Sequence, residues 1–324
     1  MDGLATRVFE PGFFTSGPVH VAIAIGTVVA VVSAVTGVFT VMRGQSFAGH
    51  ALTDVATAGG SGAFLIGMSP LLGFVGLSAV GAGVLEMIGV QRARGRDLAT
   101  GLVLGVAIGL AALFLYLGTT ATATTGATQQ ILFGSIFTTQ ASTIPIVVAF
   151  SAVALAAIAI AYRPLLLSTV NTDIAAARGA PVRTAGLLFM LALSVSVGLS
   201  SLAIGTILST ALLIGPPAAA LRMVKSVGRA LLVACLIGVG ATWLGVLLAY
   251  DSYHWGSSHQ ALPVSFFIVA IVFAAYLLSG VRARARTAAV PGVIQGQAAT
   301  KGQAIAPGHG APQGHTATHS RAAG

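Results

Sequence analysis

Long apolar runs, separated by short polar or basic stretches, make up this chain from about residue 19 to residue 281. Each run is long enough to cross the ~30 Å hydrocarbon core of a bilayer as a helix. The pattern predicts an all-α, polytopic membrane bundle of eight or nine transmembrane helices, the count being eight if the chain around residues 200–205 forms one broken helix. The expected spans are residues 19–42, 48–68, 70–90, 98–118, 144–162, 184–202, 203–222, 228–250 and 263–280.

The basic residues between the spans predict the topology of the bundle. With one exception, Arg7, they fall on the same side once the N-terminus is placed outside, as the positive-inside rule expects. We therefore expect residues 1–18 to form a short extracytoplasmic segment and residues 19–281 the transmembrane domain. Residues 282–324 are rich in Gly and Ala and contain several histidines, which predicts a disordered cytoplasmic tail.

Composition excludes several classes of protein. Hydrophobic residues make up 56% of the chain and charged residues only 7%, against about 25% charged in soluble domains. The net charge of +9 lies largely in short loops between spans, so it indicates membrane topology and not nucleic-acid binding. The single cysteine, Cys235, excludes a disulfide framework and a cysteine metal cluster within one chain.

His50 and Asp54 are the most informative polar residues, because they stand four positions apart in an otherwise apolar helix. Side chains at this spacing project from one helix face, and both residues are costly inside a bilayer, where they usually mark a pathway. Imidazole and carboxylate are also ligands of divalent first-row metals. The pair predicts a metal path. An intrahelical His–Asp hydrogen bond and a hydrated position at the membrane interface are the two structural alternatives.

Two further segments carry weaker candidates. In a cytoplasmic loop, Asp173 or Thr172 can cap a short helix that Gly179 ends in a left-handed conformation; this helix is either a docking site for a partner or an ordinary connector. In the seventh span we expect proline to break or bend the helix. Hydroxyls there either face a polar path or bond their own backbone. These path or gate candidates are Thr206, Ser209, Thr210, Pro216 and Pro217.

Several catalytic motifs are missing from the sequence. It contains no GxxxxGK[ST] phosphate-binding loop, no HExxH and no nucleophile elbow. The chain is therefore predicted not to be an enzyme, and any ATP hydrolysis by a Walker-type site would require a separate ATPase chain.

Four segments together resemble the permease subunit of metal-ion ABC importers, the zinc/manganese uptake family, over most of residues 19–281. Residues 42–49 (MRGQSFAG) are similar to the basic, serine-containing start of the family's second helix. Residues 132–135 (LFGS) are similar to its outer-loop motif. The other two segments are Asp173, Ala177 and Gly179, which look like the cytoplasmic segment that touches the ATPase, and residues 212–220 (LLIGPPAAA).

The resemblance implies a function, a site and partners. The family typically places an aspartate and, four residues later, a histidine along the metal path, whereas this chain has His50 and then Asp54. It implies an ATP-driven importer of zinc or manganese, with iron also open, and no tightly bound cofactor. It also implies a homodimer in the bacterial plasma membrane, two cytoplasmic ATPase subunits and an extracytoplasmic metal-binding protein, with no nucleic-acid partner.

Three other functions stay open at this stage. An ABC permease for a metal chelate, such as a siderophore or cobalamin, would not need a metal-ligating pair. A proton-coupled secondary transporter would use Asp54 as a proton relay. A membrane-embedded enzyme would use His50 and Asp54 as acid and base, although the spans offer few other convergent polar groups.

Overall fold

The computed structural model describes residues 13–88, 96–122, 125–134, 136–252 and 262–288, and these ranges contain helices and no strand. Short 3-10 turns occupy Phe13–Thr15 and Ala141–Thr143. The α-helices are α1 (Gly17–Met42), α2 (Ser46–Leu65), α3 (Pro70–Ile88), α4 (Arg96–Thr122), α5 (Thr125–Phe133), α6 (Ile144–Val170), α7 (Thr172–Ala177), α8 (Val182–Ile204), α9 (Thr206–Met223), α10 (Val227–Ser252) and α11 (Val264–Ala288). The predicted all-α bundle is confirmed.

Eight of these helices are long and apolar enough to cross a membrane. They are α1, α3, α4, α6, α8, α9, α10 and α11. The ninth long helix, α2, spans 20 residues, but His50, Asp54, threonines and glycines lower its mean hydropathy. Since α2 packs against α3, α4 and α8, we treat it as a ninth span. All nine expected spans are therefore helices, and the chain does break between α8 and α9, at Gly205.

Helices α1 and α8 form the centre of the bundle, and among the eight apolar helices they have the largest buried shares. Helix α8 contacts α1, α2, α3, α6 and α9, and its Phe189, Met190 and Leu193 are fully buried. Hydroxyls join the two central helices: the Oγ atoms of Ser33 and Ser200 lie 2.7 Å apart. Such bonds add to the van der Waals packing that holds membrane helices together.

Glycines set the contact between α2 and α3. A Cβ atom on Gly59 would overlap the carbonyl oxygen of Gly73, and a Cβ atom on Gly73 would overlap that of Gly59. The two backbones therefore touch directly, as small residues allow between membrane helices. This contact holds α2 in one position against its neighbour.

The break at Gly205 lies deep in the bundle. Ser200 is level with Ser33, and α1 and α8 run in opposite directions, so Ile204 is level with about Val29. Twelve residues of α1 extend beyond Val29, which is about 18 Å at 1.5 Å per residue. Irregular backbone at such depth must be buried in protein, and residues following α5 provide that cover.

Helix α5 reaches the break through Gly134. Gly134 (φ 89°) and Gly205 (φ 81°) are both left-handed. A Cβ atom on either glycine would overlap backbone atoms of the opposite segment. Ile131 and Ile136 on either side of Gly134 are buried. The apolar patch of the outer loop thus packs into the bundle, beside a cavity of about 380 Å³ lined in part by Gln129, Gln130 and Phe133.

Basic residues mark one end of the bundle, which we call the basic end. Arg43, Arg178, Arg183, Lys225 and Arg229 all lie there, near helix termini. Helix α7 lies at the same end, between α6 and α8. The predicted segment 1–18 is described only from residue 13, and the predicted tail 282–324 only up to Ala288, where α11 ends; the rest of both lies outside the described residues.

Candidate functional site

His50 and Asp54 lie in the first half of α2, within the bundle. His50 Nε2 and Asp54 Oδ2 are 3.9 Å apart, and the two side chains are 49% and 21% exposed. Asp54 Oδ2 is enclosed and has no hydrogen-bond partner within the described part of the chain. A single cation at about 2.1 Å from each atom can bridge this gap. The pair does not form the short intrahelical hydrogen bond that was the first structural alternative.

Thr210 of α9 holds the imidazole of His50. Thr210 Oγ1 lies 3.2 Å from His50 Nδ1 and 3.3 Å from Thr53 Oγ1. Thr53 already donates its hydroxyl proton to the Gly49 carbonyl, so Thr210 donates to Thr53 and accepts from His50 Nδ1. This assignment leaves His50 Nε2 as the ring nitrogen with a free lone pair, on the side of Asp54.

The pair occupies the open stripe of α2. From Ala48 to Ala63, His50 is exposed, and Asp54 and Gly62 are half-buried, while the other side chains are buried. Phe47, one turn before His50, is 43% exposed and continues the stripe. On α9, Ile207 is exposed, and Ala211 and Ala218 are half-buried. His50 and Asp54 thus stand on an accessible face of the chain.

The structure separates the three hydroxyl candidates of α9. Thr210 contacts His50, as above. Thr206 is buried, and Ser209 is buried with its hydroxyl donating to the Thr206 carbonyl. These two side chains match the alternative in which hydroxyls bond within their own helix or pack. Thr53 was missed by the sequence analysis, although its position three residues after His50 places it on a neighbouring face.

Proline was expected to break or bend the seventh span, and the structure shows no break there. Helix α9 continues through Pro216 and Pro217 to Met223, and both prolines are buried. The carbonyls of Leu212 and Leu213 lose their helical donors there. The helix nevertheless continues, and Gly37 of α1 lies directly against the Leu213 carbonyl.

One copy of the chain supplies few metal ligands. Within the described ranges no group of three or more His, Cys, Asp and Glu side chains can hold a metal ion. His50 and Asp54 are two ligands, whereas divalent metals bind four to six. Water or a second protein surface must supply the remainder for a cation that pauses at this pair.

The expected docking helix is present at the basic end as α7. Its N-cap is Asn171, whose Oδ1 accepts hydrogen bonds from the amides of Asp173 and Ile174. The prediction that Asp173 or Thr172 caps the helix is therefore wrong, because the chain turns into the helix one residue earlier. Gly179 (φ 76°) is left-handed, as expected. Asp173, Ala177 and Gly179 are all exposed, whereas Ala175 is buried and packs the helix against the rest of the chain.

Arg43 is the other residue at the basic end whose contacts the sequence analysis did not foresee. Its Nη1 donates to Ser168 Oγ at 2.8 Å, and its guanidinium lies 5.3 Å from the centre of the Phe189 ring. Burial lowers the pKa of this guanidinium, and the attraction of Glu86 opposes that shift. The signal in the sequence was its place in the motif at residues 42–49.

Comparison with known proteins identifies the family. The model of the ABC 3 transport family matches residues 18–280. The manganese import system permease protein ScaB of Streptococcus gordonii is 26% identical over 254 residues, which cover 78% of this chain and 90% of that protein.

Two solved structures share the fold. PsaBC from Streptococcus pneumoniae, in complex with Fab, matches with a TM-score of 0.70 and 24% identity over 85% of this chain and 95% of that chain. An inward-facing transporter assigned to the metal-chelate type matches with a TM-score of 0.65 and 17% identity over 84% and 88%. The resemblance seen in four sequence motifs is confirmed. This chain, a multi-pass protein of the plasma membrane, belongs to the ABC 3 transport family.

Proposed function

We propose that this chain is the permease of an ATP-driven importer of divalent metal ions, with manganese as its first candidate substrate and zinc and iron as the others. The family model and the similarity to a manganese import permease support this function. His50 and Asp54 line the path along which the ion crosses the bilayer.

The arrangement of His50 and Asp54 is the observation that carries the proposal. Their facing atoms, Nε2 and Oδ2, are 3.9 Å apart, and Asp54 Oδ2 is enclosed without a hydrogen bond. Thr210 Oγ1 accepts a hydrogen bond from the other ring nitrogen, Nδ1. A polar pair left in this state inside a membrane protein is costly unless a cation or water meets it. The reversed order of the two ligands moves the carboxylate one turn further from the basic end than in the family pattern.

A second copy of the chain is proposed to cover the open face of α2 and α9. A 49%-exposed imidazole and a 21%-exposed carboxylate cannot face lipid tails without a large cost. Half-buried small residues on α9, such as Ala211 and Ala218, permit close approach of another helix. In a symmetric dimer the same face meets itself, so two imidazoles and two carboxylates line one path.

Partners at the two membrane surfaces complete the importer. Two cytoplasmic ATPase subunits dock at α7, where Asp173, Ala177 and Gly179 are exposed. Ion release is driven by their ATP hydrolysis, since the sequence lacks a Walker-type loop. The basic end faces the cytoplasm according to the positive-inside rule. An extracytoplasmic metal-binding protein delivers the ion to the opposite end.

A permease for a metal chelate is the second candidate. The fold shared with a transporter assigned to the metal-chelate type supports it. A chelate presents its organic shell to the path, so its passage does not depend on imidazole and carboxylate ligands. Substitutions of the pair therefore separate the two candidates.

The test is metal uptake into bacteria that lack their own manganese and zinc importers. The cells express the permease with its ATPase and binding protein, and ⁵⁴Mn, ⁶⁵Zn and ⁵⁵Fe are offered in parallel. The variants are His50→Ala, Asp54→Ala and the swapped double substitution His50→Asp/Asp54→His. His20→Ala, which changes an exposed histidine in the first turn of α1, is the matched control.

We expect both alanine variants to reach the membrane and to lose at least nine-tenths of the uptake of one metal, while His20→Ala retains it. Activity of the swapped variant would show that the order of the ligands is tolerated. Normal uptake by both alanine variants would overturn the proposed path and favour the chelate permease. Uptake that continues without the ATPase subunits would instead favour a proton-coupled secondary transporter.

A further inference from the structure

Arg43 contacts two helices, α6 and α8, and lies within electrostatic range of a third, α3. Its Nη1 donates to Ser168 Oγ of α6 at 2.8 Å, its guanidinium faces the ring of Phe189 of α8 at 5.3 Å, and it attracts Glu86 of α3. Its Nε also donates to Gln45 Oε1 at 3.4 Å. A basic residue that served only as a topology signal would extend its head group into water, whereas Arg43 is half-buried among helices.

The contact with Ser168 leads directly to the docking helix. Ser168 lies two residues before the end of α6, and its carbonyl accepts a hydrogen bond from the hydroxyl of Thr172, the first residue of α7. The Ser168 hydroxyl is itself fixed, because it donates to the Leu165 carbonyl. Movement of α7 therefore shifts Ser168, and with it the acceptor of the Arg43 guanidinium.

The other side of Arg43 leads to the metal pair. The turn at residues 43–45 is closed by backbone hydrogen bonds, including Gln45 N to the Thr40 carbonyl, and Gln45 is 2% exposed. The Gln45 carbonyl accepts from the Gly49 amide, which is the first turn of α2. His50 follows at once. A displacement of this turn is thus passed to His50 along hydrogen-bonded helix, with no flexible segment between them.

We propose that Arg43 couples the ATPase-docking helix α7 to the His50–Asp54 pair, acting as a positioning residue that moves the start of α2 when α7 moves. This inference rests on the proposed function, because it assigns α7 to the ATPase and the pair to the ion. Coupling carried by packed side chains and hydrogen bonds needs direct evidence from paired substitutions. The contacts of Arg43 with Ser168 and Phe189 provide the variants for that experiment.

The experiment measures the number of ATP molecules hydrolysed per Mn²⁺ ion transported. The permease and its ATPase subunits are reconstituted in liposomes, and the metal-binding protein is supplied on the extracytoplasmic side of the permease. The variants are Arg43→Gln, Arg43→Lys, Ser168→Ala and the double substitution Arg43→Lys/Ser168→Ala. The matched control is Arg222→Gln. Arg222 also donates to a hydroxyl and stacks on a ring, both of Tyr276, so its hydrogen bond and ring contact join α9 to α11.

We expect Arg43→Gln to raise the ATP used per ion at least fivefold, while Mn²⁺ binding to the detergent-solubilised complex changes less than twofold. Arg43→Lys keeps the charge near Glu86 but loses the planar fork, so a two- to threefold rise is expected. Ser168→Ala should give a similar rise. The double variant should rise no more than either single variant, because both substitutions remove the same hydrogen bond between Arg43 and Ser168. Arg222→Gln should match the wild type.

Two results would overturn the coupling role. One is a wild-type ratio of ATP to Mn²⁺ in both Arg43→Lys and Ser168→Ala, which fold more readily than Arg43→Gln. The other is an equal rise in Arg222→Gln, which would mean that any lost contact at the basic end uncouples transport. A wild-type complex that moves none of Mn²⁺, Zn²⁺ and Fe²⁺ on ATP would instead refute the proposed function, and the coupling role would fall with it.

Discussion

Thr210 Oγ1 lies 3.2 Å from His50 Nδ1, so a residue of α9 fixes the ring of a residue on α2. The bond joins a helix that begins at the basic end, beside Arg43, to a helix that begins at the deep break after Gly205. A shift of α9 relative to α2 would release the imidazole. The readiness of His50 to bind an ion therefore depends on how these two helices sit together.

Replacing Thr210 with valine should weaken metal binding without unfolding the protein. Valine keeps the shape but removes the acceptor of the His50 proton, and loss of such supporting hydrogen bonds typically costs about 10- to 100-fold in metal affinity. We expect at least a tenfold rise in the Kd for Mn²⁺, measured by equilibrium binding of ⁵⁴Mn to the solubilised complex. Thr210→Ser should restore most of the affinity. Ser209→Ala, next in sequence but bonded only within α9, should bind normally, and an equal loss there would contradict the role of Thr210.

Replacing Asp54 with leucine should stabilise the metal-free protein. The enclosed Oδ2 lacks a hydrogen bond, and such a group costs about 1–3 kcal/mol. Thermal unfolding in EDTA should show a higher midpoint for Asp54→Leu than for the wild type, while added Mn²⁺ should raise only the wild-type midpoint. Asp97 is exposed in the first turn of α4, where a carboxylate is favourable, so Asp97→Leu should change the midpoint in the opposite direction. A lower midpoint for Asp54→Leu would show that the carboxylate stabilises the fold.

Alanine at Gly134 or Gly205 should destabilise the bundle. Both residues have positive φ, and a Cβ atom on either would overlap the backbone of the opposite segment. Positive φ alone costs about 1–2 kcal/mol for a residue with a side chain, and the overlap adds to it. We expect a clear fall in the thermal midpoint and, if any protein assembles, a displaced α5. A Cβ atom on Gly105 of α4 meets open space, so Gly105→Ala should be neutral or slightly stabilising. A comparable fall in the thermal midpoint of Gly105→Ala would show that the contact between Gly134 and Gly205 is not the cause.

Removing the cap of α7 should weaken its docking and spare metal binding. Asn171 Oδ1 accepts two amide hydrogen bonds, and loss of an N-cap costs about 1 kcal/mol, which is much for a helix of 6 residues. Asn171→Ala should speed amide exchange over residues 172–177 and reduce co-purification of the ATPase subunits. Asn171→Asp keeps the acceptor and should behave as wild type. Unchanged exchange in Asn171→Ala would mean that packing of Ala175, not the cap, holds α7.

Much of the fold could be predicted from sequence, because a membrane imposes a simple rule on each helix separately. Every backbone polar group must be satisfied within its own helix, so long apolar runs report helices directly. His50 and Asp54 also stood out, since their cost in a bilayer is a local property. The capping residue was misplaced by one or two positions, because Asn171, Thr172 and Asp173 can all accept from helix amides.

Contacts between distant segments could not be predicted in this way. Nothing near Thr210 in the sequence distinguishes it from Thr206 or Ser209; only the packing of α9 against α2 brings it to His50. The prolines of α9 were expected to break or bend the helix, but the helix continues through them, with Gly37 of α1 packed against the Leu213 carbonyl. The meeting of Gly134 and Gly205 likewise depends on segments about 70 residues apart.

The polarity of α2 has a consequence for how the protein is made. Eight helices are long and apolar enough to cross a bilayer by length and composition, and α2 is not among them. A central aspartate alone opposes insertion by about 2.5–3.5 kcal/mol. We expect α2 to enter together with α3, whose backbone it touches at Gly59 and Gly73; glycosylation mapping of nascent chains ending after α2 or after α3 would reveal the difference. The side chains that serve ion passage thus make their own helix dependent on a later-synthesised neighbour for its place in the membrane.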